Sequence, residues 1–331
     1  MVFGLGVVGR KRAMILNDLP TFSLEGYIDI DRAETGQFGK SYSWEDFYAG
    51  AVPEIDCAFV CLPTYLATDI VQCLLEKKVS VFCEKPPARS AKELEKIDKK
   101  LLSDSVHLMY GFNHRYHCSV IKAASLISSG ELGEIIDMRG VYGKSQMTNF
   151  SDGDWRTDLK MSGGGILIDQ GIHMLDLFRF FGGDLKLKSA IIGNTVWGCE
   201  VEDNVLALLE GVSSGIPVFL HSSASHWKHK FSLDIGLTKG FISLTGLVTG
   251  TRSYGEEVIT FGYKRDGGRF GSPNEESLIF QEDLSWIREI NKFYDQVVHE
   301  KNVDSSLRSL EDAAAVLELI RLIYEDFYGL S

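Results

Sequence analysis

Positive charge is scarce in this chain. Its 331 residues carry 34 lysines and arginines against 46 aspartates and glutamates, a formal net charge of −12. Such an excess of anionic groups repels nucleic-acid phosphates and anionic lipid headgroups, so neither is expected as a partner. The charges are spread without a long like-charge block, so no acidic tail is indicated. Paired cysteines are missing too. Cys57, Cys61, Cys73, Cys83, Cys118 and Cys199 form no C-x-x-C, and several sit in apolar runs such as Cys57-Ala58-Phe59-Val60-Cys61. Buried free thiols in a reducing compartment are expected. There is no stretch that reads as a signal peptide and no apolar run of membrane length, so the cytoplasm is the expected location. H-E-x-x-H is absent, and Asp169 with His173 make only half a ligand set, so no metal is expected. No internal repeat is visible.

What is present is enough apolar material, 44% of residues, for a sizeable core and more than one domain. Residues 1–3 can be only the end of a strand, as in a chain trimmed or begun late. Glycines follow at 4, 6 and 9, then a helix near 10–16 and a strand at 24–30. The run 57–62 suits a strand buried on both faces. A helix at 67–76, a strand at 79–83, a helix from a capping box at Ser90-Ala91-Lys92-Glu93 to about 102, and a strand at 106–110 complete an alternating series. That alternation predicts an α/β doubly wound parallel sheet.

The pattern changes after Asn113. A helix is expected at 118–129, a strand at 134–142, and a long helix from Gly163-Gly164-Gly165 to Gly182. Strands are then expected at 187–197, 204–211, 216–224, 230–236, 240–245 and 256–263. Residues 267–273 read as a loop, and two helices, near 284–300 and 310–328, close the chain. In the last, Val316, Ile320, Ile323 and Phe327 make an apolar stripe suited to core or subunit contact. The reading is an α+β domain with a large, mostly antiparallel open sheet, occupying 114–331 after a first domain at 1–113.

Gly4-Leu5-Gly6-Val7-Val8-Gly9 fits G-x-G-x-x-G, a pattern that cradles pyrophosphate at a helix N-terminus. Asp29 lies 20 residues beyond Gly9, at the end of the second strand, where a carboxylate can accept from ribose hydroxyls. NAD is therefore expected over NADP. Arg32 could swing toward a 2′-phosphate, and Asp31 is an alternative ribose partner. Lys85, in Glu84-Lys85-Pro86-Pro87, follows a buried strand at the carboxyl edge of the sheet; a surface lysine before a turn is the plain alternative. Asp169, His173 and Asp176 stand at i, i+4 and i+7, one face of an α-helix, among Leu167, Ile168, Ile172, Met174, Leu175 and Leu177. A carboxylate and an imidazole so placed can relay a proton, although His173 could equally be a satisfied core histidine.

Taken together, these residues resemble the glucose–fructose oxidoreductase / inositol dehydrogenase / rhizopine catabolism family of NAD(P)-dependent sugar and polyol dehydrogenases. The resemblance extends through Asp56 to Thr64, Glu84-Lys85-Pro86, Gly111-Phe112-Asn113-His114-Arg115-Tyr116, Gly130-Glu131-Leu132-Gly133-Glu134, Trp155-Arg156 and Gly163 to Asp176. It implies a Rossmann domain followed by an α+β domain whose open sheet is often a subunit interface, hence a homodimer or homotetramer. Lys85 matches the family's catalytic lysine, and Asp169 with His173 its acid–base pair. With the glycine fingerprint, Leu62, Pro63, Thr64, Glu84, Lys85, Asn113, Trp155 and Arg156 match positions around the cofactor. Arg115 and Tyr116, with Lys85, Asp169 and His173, match positions around the substrate. His173 stands where some members carry tyrosine, which is the inositol-dehydrogenase type. Leu62, Thr64, Tyr65 and Ala67 depart from the residues common at those positions.

The stretch His226-Trp227-Lys228-His229-Lys230-Phe231 stands out in an acidic chain and looks like a subgroup found with bacterial surface-polysaccharide synthesis. It could meet a phosphate or carboxylate on a sugar, or be an interface or solvated strand. The expected activity is hydride transfer between a secondary hydroxyl of a sugar, polyol or nucleotide sugar and nicotinamide. An NAD-dependent glycoside hydrolase and a non-catalytic dinucleotide-binding regulator remain alternatives.

Overall fold

Short runs of apolar residues, each ending in a turn, build the first sheet. The computed structural model describes residues 1–30, 37–146, 154–263, 273–300 and 302–329. Six strands, β1 (Val2–Phe3), β2 (Gly26–Ile28), β3 (Lys40–Tyr42), β4 (Cys57–Val60), β5 (Ser80–Glu84) and β6 (Leu108–Gly111), form a sheet in the order β3-β2-β1-β4-β5-β6. Every pairing in it is parallel. β1, short as it is, pairs on both sides, with β2 and with β4. β4 and β5 are almost wholly buried, as a parallel sheet covered on both faces requires. Helices Val7–Asp18 and Thr64–Glu76 supply two of the crossovers. The core is aromatic: the rings of Phe59 and Phe82 stack 5.3 Å apart, and Phe293 meets both edge-on.

The second sheet comes from alternating sequence. It runs in the order β14-β13-β12-β11-β7-β10-β9-β8. Its strands are β7 (Ile135–Ser145), β8 (Leu185–Gly193), β9 (Asn204–Gly211), β10 (Pro217–His226), β11 (Lys230–Leu237), β12 (Gly240–Thr245), β13 (Glu257–Tyr263) and β14 (Asn274–Phe280). All neighbours are antiparallel except β7 and β10, which run parallel. One face is buried through Val205, Ala207, Leu209, Val218, Leu220, Leu233 and Ile235; helices Cys118–Ser129 and Ile172–Gly182 pack against strands of this sheet.

Two compact units result: Met1–Phe112 with Lys160–Ser162 and Trp286–Ala314, and Asn113–Leu159 with Gly163–Ser285 and Ala315–Ser331. The linear division at residue 113 is thus crossed. Most of helix Ser285–Asp295 and the first part of helix Val303–Tyr328 belong to the first unit, where Ser306 and Ser309 hydroxyls accept from the backbone of Leu108 and Tyr110.

Other differences have local causes. The helix expected to run to 102 is a single turn, Ala91–Leu94, followed by a 3-10 turn at Lys99–Leu101. Ser90 Oγ accepts from the Glu93 amide, but the Glu93 carboxylate is taken by the Arg89 guanidinium and amide. The long helix expected from the glycine triplet is a π turn, Leu167–Gly171, running into helix Ile172–Gly182. β14 was not expected; it is exposed, polar over 274–277 but apolar over 278–280, and among the described residues it pairs with β13 at the sheet edge. Residues 267–272 of the expected loop, and Asp31 and Arg32, lie outside the described residues. Among the described residues no helix is long and apolar enough to cross a membrane. No disulfide joins the six cysteines; Cys83 is buried as expected and the other five are half-buried, and burial pushes the Cys61 and Cys83 thiols up.

Candidate active site

In the first unit the predicted cofactor residues from Gly4 to Lys85 gather at the carboxyl edge of the parallel sheet, where open α/β folds bind ligands, whereas Asn113, Trp155 and Arg156 belong to the second unit. Gly4 follows β1 with φ +90°, and a side chain there would come within 2.7 Å of the Cys61 carbonyl. A side chain on Gly9 would collide with the Gly4 carbonyl. Gly6 differs: nothing lies within 4 Å of the position a side chain would take. It caps helix Val7–Asp18 without a side-chain bond, and the first turn has no acidic residue. That open, uncapped N-terminus offers its amides to a pyrophosphate. Val7 is 90% exposed and Val8 borders the same turn. The Leu5 amide donates to Asp29 Oδ2 at 2.5 Å, which anchors this carboxylate beside the glycine turn at the end of β2. Leu62 and Pro63 follow β4 half-buried, and Thr64 is buried at the start of its helix. This arrangement fits an NAD-type dinucleotide.

Glu84 and Lys85 follow from β5, and the Lys85–Pro86 peptide is cis. Beneath them lies a group that sequence reasoning missed. Arg12, fully buried, donates Nε to Glu84 at 2.7 Å and Nη2 to Glu289. Its guanidinium sits 4.5 Å from the Phe82 ring and 4.3 Å from the Trp286 ring. Burial alone would lower its pKa, but the two carboxylates outweigh that and raise it, so Arg12 stays charged. The residue before Lys85 is thereby fixed by a buried ion network.

In the second unit the predicted acid–base residues sit at the π turn. Asp169 accepts from Lys144 Nζ at 2.7 Å and from Gln170 Nε2 at 3.1 Å. His173, buried, begins the α-helical part, and its imidazole stacks on that of His114, centroids 3.8 Å apart. His114 is held at both nitrogens, Nδ1 by Asn113 Oδ1 at 3.1 Å and Nε2 by the Tyr142 hydroxyl at 3.0 Å. Tyr142 is also bonded to Tyr254, and burial first, then Tyr254, pushes its phenol up, so it remains neutral. Asp176, grouped by spacing with Asp169 and His173, instead receives a two-pronged bond from Arg115, at 2.8 and 2.5 Å. Tyr116 is half-buried in the same 3-10 turn, Asn113–Tyr116. Trp155 and Arg156 form another such turn, with the guanidinium 4.5 Å over the indole.

Two contributors carried a sequence signal that went unused. Tyr142 and Lys144 alternate on β7 and share a face, but the strand was expected to end at 142. Glu202 carried none. Its buried carboxylate accepts from the Gly165 and Leu167 amides and from the hydroxyls of Tyr324 and Tyr328. Burial pushes its pKa above 4.5 despite those four donors. It ties the glycine-rich entry of the π turn to the C-terminal helix.

Comparison with known proteins follows these divisions. Residues 1–112 match a family described as "Oxidoreductase family, NAD-binding Rossmann fold", and residues 120–243 match the "GFO/IDH/MocA C-terminal domain". A putative UDP-kanosamine synthase oxidoreductase subunit of Amycolatopsis mediterranei is 32% identical over 201 residues, 57% of this chain and 53% of that protein. Glucose-6-phosphate 3-dehydrogenase of Bacillus subtilis is 28% identical over 179 residues, 53% of this chain and 51% of that protein. The chain spans about half the length of these curated relatives. A solved levoglucosan dehydrogenase in complex with NADH superposes with a TM-score of 0.83 at 17% identity, covering 100% of this chain and 96% of that one, a likeness of fold.

Proposed function

This chain belongs to the GFO/IDH/MocA family of oxidoreductases, and from that premise we propose that it moves hydride between a secondary hydroxyl of a sugar, polyol or nucleotide sugar and the nicotinamide of NAD. The observation that carries the reading is the Asp169 carboxylate, anchored by Lys144 on the π turn that leads into His173. Bound nicotinamide supplies the hydride acceptor. His173 takes the hydroxyl proton, and Asp169 orients the imidazole or passes that proton on. The Lys144 ammonium holds the Asp169 carboxylate in place. Lys85 holds the hydroxyl oxygen and stabilises the negative charge that develops there. Asn113, Trp155 and Arg156 serve the cofactor and Arg115 and Tyr116 the substrate, with Asp176 keeping Arg115 in place. Ketone reduction uses the same groups in reverse.

The half-exposed face of the second sheet, carrying Ile191 and Leu208, supports a homodimer or homotetramer, because a broad apolar face is costly to leave in water. Six free thiols support a reducing compartment such as the cytoplasm.

A panel of free sugars, polyols and nucleotide sugars, read as NADH absorbance, tests the activity. Turnover on a member of the panel is expected, lowered by orders of magnitude in Lys85→Met and His173→Ala, with His173→Ala partly recovering at high pH. Near-wild-type rates in both variants would remove the proposed site. Glycoside consumed without net NADH would replace oxidation by the hydrolase reading.

A further inference from the structure

The basic stretch after β10 has no role in the chemistry so far. In the second unit it forms one wall of an open cleft of about 490 Å3, lined by Ser145, Trp227, Lys228, His229, Arg252 and Tyr254 among others. The cleft lies at one end of the sheet. Ser145 ends β7, Trp227 to His229 join β10 to β11, and Arg252 and Tyr254 lie between β12 and β13. Among the described residues no carboxylate lines it, in a chain whose net charge is −12. Nor, among the described residues, does Lys228 or Arg252 pair with a carboxylate. Trp227 leaves 78% of its surface in water, and Arg252 takes a left-handed backbone with φ +52°.

The cleft adjoins the acid–base residues of the same unit. Tyr254 in its wall is bonded to Tyr142, which holds the His114 ring under His173. Lys144, the residue before Ser145, holds Asp169. The His229 ring packs edge-on against Tyr254 at 4.9 Å. Burial first, and then the Lys144 charge, push the His229 pKa down, so at neutral pH it is an uncharged hydrogen-bonding group beside two cations.

We propose that this cleft binds a phosphate group of the substrate, with Lys228 and Arg252 holding its oxygens and Trp227 covering the face of an attached ring. The guanidinium fork matches two phosphate oxygens and the ammonium adds a point charge. An exposed indole offers a face to a base or sugar ring. The proposal rests on the sugar-oxidoreductase reading and narrows it to anionic sugars. The phosphate can come from a sugar monophosphate or from the diphosphate of a nucleotide sugar.

UDP and glucose 6-phosphate separate these sources. Each is titrated by calorimetry into the full chain with NAD saturating, so that the dinucleotide site is already filled. UDP lacks the sugar that a nucleotide sugar carries on its diphosphate, so its binding is read apart from turnover of that sugar. One probe is expected to bind, more weakly as salt rises. Lys228→Ala and Arg252→Ala are each expected to weaken it by about tenfold or more with melting temperature unchanged, the loss usual for one charge-assisted contact. Tighter binding of UDP, weakened further by Trp227→Ala, assigns the diphosphate; tighter binding of glucose 6-phosphate assigns the monophosphate. Binding of neither probe, or binding that survives both substitutions, overturns the proposal. Oxidation of neutral sugars untouched by the two substitutions overturns it and leaves the dehydrogenase reading standing. Probe binding lost in both variants, without turnover on any sugar, does the reverse.

Discussion

The imidazoles of His114 and His173 lie face to face, 3.8 Å between centroids and 16° between planes. His114 is fixed at both ring nitrogens, so it acts as a rigid plate on which the proposed base rests. His114→Ala removes that plate without touching the proton-transferring group. A loss of about 100-fold in kcat is expected, the scale on which a small misplacement of a catalytic group acts, with KM for NAD unchanged. His114→Phe, which keeps a flat ring, should recover part of the loss. Steady-state kinetics of the two variants decides it: an alanine variant with wild-type kcat would show that His173 holds its orientation unaided.

What could be read in the sequence followed local pattern. β4 and β5 are continuous apolar runs because parallel strands are buried on both faces. β9, β11 and β12 showed as alternation because one face of the second sheet is buried. The glycine turn and the place of Asp29 were legible through spacing, and the place of Lys85 through the buried strand before it. What stayed hidden depends on residues distant in the chain. Arg12 reads as one more surface charge in Arg10-Lys11-Arg12, yet its partners lie 72 and 277 positions away. Glu202 meets Tyr324 across 122 positions. The π turn has no sequence period of its own, so Asp169, His173 and Asp176 were placed on one α-helical face, whereas the structure gives Asp176 to Arg115.

Arg12 carries a stability prediction. Arg12→Met leaves Glu84 and Glu289 buried without their cation, which costs about 3–5 kcal/mol when one partner of a buried ion pair is removed. Adding Glu289→Leu removes one stranded charge and should restore part of the loss. Denaturant unfolding of the single and double variants checks this. A double variant as unstable as the sum of two independent losses would show that the network is not coupled.

Glu257 sets a pH dependence. Its carboxylate accepts from His117 Nδ1 at 2.7 Å and from the Ser119 amide at 2.8 Å, at the start of helix Cys118–Ser129. Burial alone would raise its pKa, but the His117 bond and charge and the Ser119 bonds outweigh it and leave the pKa below 4.5. A depressed carboxylate pKa contributes stability that is present above the unfolded-state value and lost as pH falls through the folded-state value. Melting temperature should therefore fall on acidification below about pH 4.5 more steeply in the wild type than in Glu257→Gln. The variant is expected to be less stable at neutral pH. Parallel acid limbs in the two proteins would exclude Glu257 as a source of the dependence.

Cofactor choice turns on Asp29. The Leu5 amide holds Oδ2 at 2.5 Å, so the carboxylate cannot swing away from the end of β2 without giving up a bond to the glycine turn. In that place it can accept from the adenosine ribose hydroxyls, as the acidic residue about 20 positions past a glycine fingerprint does. A 2′-phosphate would set a second anion against it and displace those bonds, a penalty of roughly several kcal/mol for close like charges. The wild type should therefore bind NAD far more tightly than NADP. Asp29→Ala should lose NAD affinity and close the gap between the two cofactors. Fluorescence titration of both dinucleotides into both proteins measures this. Equal affinity of the wild type for NAD and NADP, or an alanine variant that binds NAD undiminished, would show that another group reads the ribose.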